Sequence, residues 1–67
     1  MVYYIAVNNI DAYTSKSLNS IKHAAKHLYR QYAIDVFIEC YSGQFHGSGG
    51  ILRYILKYNG RQFRKVR

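Results

Sequence analysis

Residues 16–32 form one long stretch free of Gly and Pro, and inside it Leu18, Ile21, Ala25, Leu28 and Tyr32 recur at spacings of three and four. That spacing places the five on one stripe of a helix. A single amphipathic helix cannot bury its stripe alone, so the rest of the chain must supply a surface for it. Only 67 residues are available, which allows one domain, residues 1–67, and one small core. A chain of this length buries about 60% of the surface that it exposes when unfolded.

The flanking segments read as strands. Residues 2–7 are β-branched, aromatic or small, and Asn8-Asn9 follow. Residues 8–15 read as a polar connection, with Thr14, Ser15 and Ser17 as candidate N-caps. From Ile34 to Tyr41 the chain alternates. Ile34, Val36, Ile38 and Cys40 take one face, and Asp35, Phe37, Glu39 and Tyr41 the other. Ser42-Gly43 suggests a turn into Gln44-Phe45-His46, and Gly47-Ser48-Gly49-Gly50 a loop.

Residues 51–58 could be helix or strand, since Ile51, Leu52, Ile55 and Leu56 also fit a short amphipathic helix. Asn59-Gly60 decides for a strand, because this pair favours a two-residue hairpin turn. Such a turn pairs Tyr58 with Arg61, Leu56 with Phe63 and Tyr54 with Lys65. Leu52, Tyr54, Leu56, Tyr58 and Phe63 then lie under the helix, while Arg53, Ile55, Lys57, Arg64 and Val66 face away. The expected fold is α+β: β-α-β-β-β, with one or two short extra strands and one helix on one face of a mostly antiparallel four- to five-stranded sheet.

Composition narrows the function. Hydrophobic residues make up 49% and aromatics 16%, with eight Tyr, which excludes disorder. Ten Lys and Arg stand against three acids, a net charge of +7. Two readings of that charge stay open: an anionic partner, or simple solubility for a Tyr-rich chain. One cysteine, Cys40, permits no internal disulfide, so a reducing cytoplasm is expected. The first residues lack the charged start of a signal peptide, and nothing approaches about 18 continuous apolar residues, so no membrane is expected.

Catalytic chemistry finds little support. Cys40 falls on an apolar strand face and reads as a small hydrophobe. Asp11, Asp35 and Glu39 are too scattered for a two-metal site, and an ion pair with hairpin arginines is the expected use of Asp35 and Glu39. His23 and His27 have zinc-compatible spacing, with His46 or Cys40 as a conceivable third ligand, but two solvated histidines are the simpler reading. The Gly47–Gly50 stretch does not open a helix, so it is not a phosphate loop. No enzyme activity, cofactor, metal or small-molecule substrate is expected.

Binding remains. Lys22, Lys26 and Arg30 form a like-charged row on the helix with no helical acid to neutralise it. Arg53, Lys57, Arg61, Arg64 and Lys65, with Arg67 at the end, cluster on the final hairpin. Rings interleaved with cations suit nucleic acid, and equally a protein interface. Tyr54, Tyr58 and Phe63 are needed for the core, which leaves Tyr3 or Tyr4, Phe37 and Tyr41 for the surface. The candidate contact set is Lys22, Lys26, Arg30, Arg53, Lys57, Arg61, Arg64, Lys65 and Tyr41.

Ser17-Leu18, Lys22, Ala25 and Lys26, set between a Tyr-rich first strand and Asn59-Gly60-Arg61, give a layout that resembles small basic phage anti-CRISPR proteins. Those proteins inhibit the type I-F CRISPR surveillance complex, Cascade. The resemblance implies a single helix on an antiparallel sheet, action in the host cytoplasm, and binding to subunits of the CRISPR-Cas effector complex. It further implies docking on the Cas7 backbone, which blocks target DNA, and a basic surface that can also meet guide or target phosphates. No family motif assigns a role to an individual residue. The alternative is a sequence-tolerant DNA- or RNA-binding module.

Overall fold

A computed structural model describes residues 1–7, 10–43 and 50–67. The chain runs β1 (Val2–Val7), β2 (Ile10–Ser15), α1 (Leu18–Tyr32), β3 (Val36–Ser42), β4 (Ile51–Tyr58) and β5 (Phe63–Lys65). The five strands form one antiparallel sheet in the order β2-β1-β3-β4-β5. The expected class, one helix on one face of an antiparallel sheet, is what the chain adopts. The segment expected to be a polar connection differs: residues 10–15 pair with β1 and add a strand before the helix. Its period-2 signal is weak because its residues, IDAYTS, are mixed in character, and the partner strand supplies the ladder. Of the expected Ser42-Gly43 turn, Ser42 ends β3 and Gly43 has a φ of 88°, while Gln44–His46 and most of the Gly47–Gly50 loop lie outside the described residues.

Ser17 caps α1, its hydroxyl accepting the Ser20 N–H at 3.3 Å, while the Ser15 hydroxyl accepts the Ser17 N–H at 3.0 Å. The helix ends at Ala33, which adopts the left-handed conformation at φ 54° and donates its N–H to the Tyr29 carbonyl at 2.7 Å. Ile34, expected on the inner strand face, falls instead in the connection after this cap and is exposed.

Ile21, Ala25 and Leu28 of the helix are buried against Tyr3, Ile5, Val36, Ile38, Cys40 and Tyr58. Ala25 has no exposed surface, and its small side chain lets the helix lie close to the sheet. Tyr32, expected in the stripe, is 48% exposed at the last helical position. Tyr29, one turn earlier, takes the inner role: its ring meets Tyr58 edge-on at 5.5 Å.

The final hairpin has the expected strands in a different register. Tyr58 pairs with Phe63, Lys57 with Arg64 and Leu56 with Lys65, so the loop holds four residues, Asn59–Gln62. Only Gly60 of the loop has positive φ, which excludes a turn needing positive φ at both central residues. Asn59 Oδ1 instead accepts the N–H groups of Arg61 and Gln62 at 3.0 and 3.1 Å. The shift of two residues keeps Phe63 on the inner face, now beside Tyr58 at 4.6 Å between ring centroids.

A second correction concerns Leu52. The register slips by one between Cys40/Tyr41 and Tyr54/Leu52, leaving Arg53 as the extra residue of a bulge. One extra residue reverses the alternation beyond it. Leu52 therefore joins Tyr41 and Val2 on the helix-free face, and it is not among the residues packed on the core.

Two substitutions test these local features. Ala33→Gly relieves a left-handed alanine and is expected to stabilise by about 1 kcal/mol, raising the thermal midpoint followed by circular dichroism by about 4–8 °C. Gly60→Ala should do the opposite, since its φ is +93° and a Cβ there would lie 2.5 Å from Tyr29 Cζ. A loss of about 1–3 kcal/mol is expected, and an unchanged midpoint would contradict the packing of Tyr29 over this turn.

Candidate binding surface

The helix row and the hairpin cluster meet through one contact. Lys22 Nζ lies 5.1 Å from the centroid of the Phe63 ring, on β5. Each further step of four residues turns about 40° around the helix, so Lys26 and Arg30 climb the flank that rises from this edge. Both are exposed. Lys65 shares the inner face with Phe63 and places Nζ 5.4 Å from the Tyr54 ring. Arg61 follows Gly60, the residue lying against Tyr29. Lys22 and Lys65 thus border the helix side of the β5 edge, with Lys26 and Arg30 exposed further along the same helix and Arg61 in the hairpin loop.

The remaining hairpin cations belong to the other face. Phe37, Lys57 and Arg64 stand opposite one another across β3, β4 and β5. Lys57 Nζ lies 5.9 Å from the Phe37 ring and 3.2 Å from Asp35 Oδ2, the one ion pair among the described residues. The expected acid–hairpin pairing is therefore real for Asp35, with a lysine in place of an arginine. Arg53, at the bulge, donates from Nε to the Ser42 hydroxyl at 2.8 Å. The candidate cations do not make one hairpin face, because alternation along β5 sends Lys65 to one side and Arg64 to the other.

Glu39 serves a different partner. It accepts the Tyr41 hydroxyl at 2.6 Å. This bond, with some desolvation and the nearby carboxylate charge, pushes the Tyr41 pKa up from 10.0 to about 12. Tyr54, on the inner face, is pushed up to about 12 chiefly by burial. Burial also raises the Cys40 thiol, against a smaller opposing effect from Tyr54, and the side chain has no exposed surface.

His23 and His27 are exposed one turn apart on the helix. Among the described residues no group of three His, Cys, Asp or Glu side chains could hold a metal ion, and His46 lies outside those residues. No helix of the described residues is long and apolar enough to cross a membrane.

The helix-free face also holds apolar residues that the candidate set left out. Val2 and Tyr4 are buried there, at 5% and 7% exposure, and Leu52 and Ile55 are half-buried. Phe37 is 48% exposed in the middle strand. The strict alternation of residues 34–41 already pointed Phe37 outward; Leu52 needed the bulge. Comparison with known protein families, curated proteins and solved structures found no significant match.

Ultraviolet titration of the tyrosinates tests the Glu39 contact. Two tyrosines should ionise near pH 12, later than an ordinary phenol at 10.0. Because the folded pKa lies above the unfolded one, the stabilisation from the Tyr41–Glu39 bond is complete below pH 10 and fades as pH rises towards 12. Glu39→Gln should return one tyrosine towards pH 10 and leave the Tyr54 transition in place.

Proposed function

We propose that the protein is a non-catalytic inhibitor that docks on a nucleic-acid-containing host assembly, in the manner of the anti-CRISPR proteins it resembles. The reading that follows from that layout is binding to the Cas7 backbone of the type I-F surveillance complex, with target DNA kept out. The observation that supports it best is the Lys22–Phe63 contact. That contact joins the helix row to the β5 edge, where Lys65 shares the face of Phe63, and gives this edge a cationic border. Lys26 and Arg30 on this border are exposed and have no acidic residue on their own helix. Like charges gathered without counter-charges favour an anionic partner and speed encounter with it.

The second reading, a sequence-tolerant DNA- or RNA-binding module, draws on the three lysines that lie near rings. It differs from the first in what the protein binds by itself.

Lys26→Glu/Arg30→Glu separates the two, and both sites are exposed enough to spare the fold. Under the inhibitor reading, wild-type protein co-elutes with purified surveillance complex and abolishes its binding of target DNA. The double variant loses this by at least about tenfold, a modest loss for two interface charges. Under the second reading, bare duplex binds, its affinity falls linearly with salt on logarithmic axes, and the variant lowers that slope by about 1.8. Failure to co-elute and to protect a phage in a plaque assay rejects the inhibitor; salt curves that are flat for duplex and single strand alike reject the module.

A further inference from the structure

On the face of the sheet away from the helix, Val2 and Tyr4 are buried, while the end of β3 near Phe37 carries an exposed ring with cations to one side. Phe37 stands on the middle strand, 48% exposed and outside the core cluster. Lys57 faces it on β4, and Arg64 faces Lys57 on β5. Beside them lies a shallow depression of about 370 Å³ lined by Lys57, Asn59, Arg64, Lys65 and Val66. No acidic side chain lines it. The Lys65 ammonium is drawn to the Tyr54 ring on the opposite face, so Lys57 and Arg64 supply the charge.

We propose that this face binds an unstacked nucleotide of a single-stranded nucleic acid, the base on the Phe37 ring and the phosphate between Lys57 and Arg64. The inference rests on the second reading above and gives it a single-strand contact on the face away from Lys26 and Arg30. Adjacent strands are about 4.8 Å apart, so Phe37 and Arg64, two strands apart, are separated by about the span of one nucleotide from base to phosphate. Lys57 Nζ lies 5.9 Å from the ring centroid, and the half of the ring that remains exposed accepts any base, because every base has a π-face, whereas a duplex keeps its bases stacked and out of reach.

Two features of the site shape the binding. Asp35 holds Lys57 at 3.2 Å, with the two side chains 45% and 36% exposed. An ion pair this open is weak, so a phosphate can take the place of the carboxylate. Glu39, the other acid on this face, is engaged by the Tyr41 hydroxyl and lies across from Ile55, one row away from Phe37 and Lys57. The cations therefore outnumber the acids around Phe37 once Asp35 is displaced.

Fluorescence anisotropy with a labelled oligothymidylate and an abasic strand of equal length tests the proposal at one salt concentration. Wild-type protein should prefer the strand with bases. Phe37→Ala should weaken oligothymidylate binding about tenfold, as for loss of one base stack, and leave the abasic strand unaffected. Phe37→Tyr should restore binding. Arg64→Ala should weaken both strands, and Asp35→Asn should tighten both by freeing Lys57. An unchanged thermal midpoint for Phe37→Ala is expected from its exposure. Equal binding of both strands by the wild type would end the stacking site while leaving the general nucleic-acid reading standing. Binding of neither strand would overturn both. Loss of surveillance-complex binding on Phe37→Ala, with no oligonucleotide bound, would assign the face to a protein and overturn the proposal.

Discussion

The structure depends on the close approach of one helix to the middle of one sheet. Ile21, Ala25 and Leu28 bury against Ile5, Ile38 and Cys40, and most of these side chains have no exposed surface. Among the described residues there is one helix and one sheet, and this layer between them holds most of the buried side chains. A single large-to-small change in such a layer costs about 2–5 kcal/mol, a large share of the few kcal/mol available to a chain of this size. The final hairpin is attached to this centre by rings. Tyr29 meets Tyr58, Tyr58 lies beside Phe63, and Lys22 covers Phe63. The same contacts that hold β5 under the helix bring the two groups of cations together.

The helix covers one face, and the strand order then decides what the other face carries. β1 and β2 contain no Lys or Arg, whereas β4, β5 and the residues around them hold six. With β2 at one edge and β5 at the other, the strands at one edge of the sheet carry no cation and those at the other edge are cationic. Alternation along β5 divides those cations between the faces, Lys65 with the helix and Arg64 away from it. The bulge at Arg53 carries Leu52 to the helix-free face, beside Val2 and Tyr41.

Much of this was legible in the residues. The helical stripe predicted the buried positions Ile21, Ala25 and Leu28, because a period of 3.6 survives any tertiary context that buries one side. The alternation of residues 36–41 predicted both the core side of β3 and the exposure of Phe37. The strand at residues 10–15 was not legible, since its ladder comes from β1 and its own pattern is weak. Nor was the hairpin register. Asn59-Gly60 signalled a turn, but whether two or four residues form it depends on Gly60 fitting beneath Tyr29 and on Asn59 capping two amides.

The candidate cations divide along the same line. That the chain is basic, and that Lys22, Lys26 and Arg30 share a helix flank, follows from sequence spacing alone. Sequence also determined that one helix must serve one sheet and that Cys40 belongs inside. Tertiary structure decided which cations become neighbours, which acid holds Lys57, and which face is left bare around Phe37. The reason is physical. Periodicity is local and records which side of an element is apolar. Register, bulges and strand order arise from pairings between distant segments, and these set the company each charge keeps.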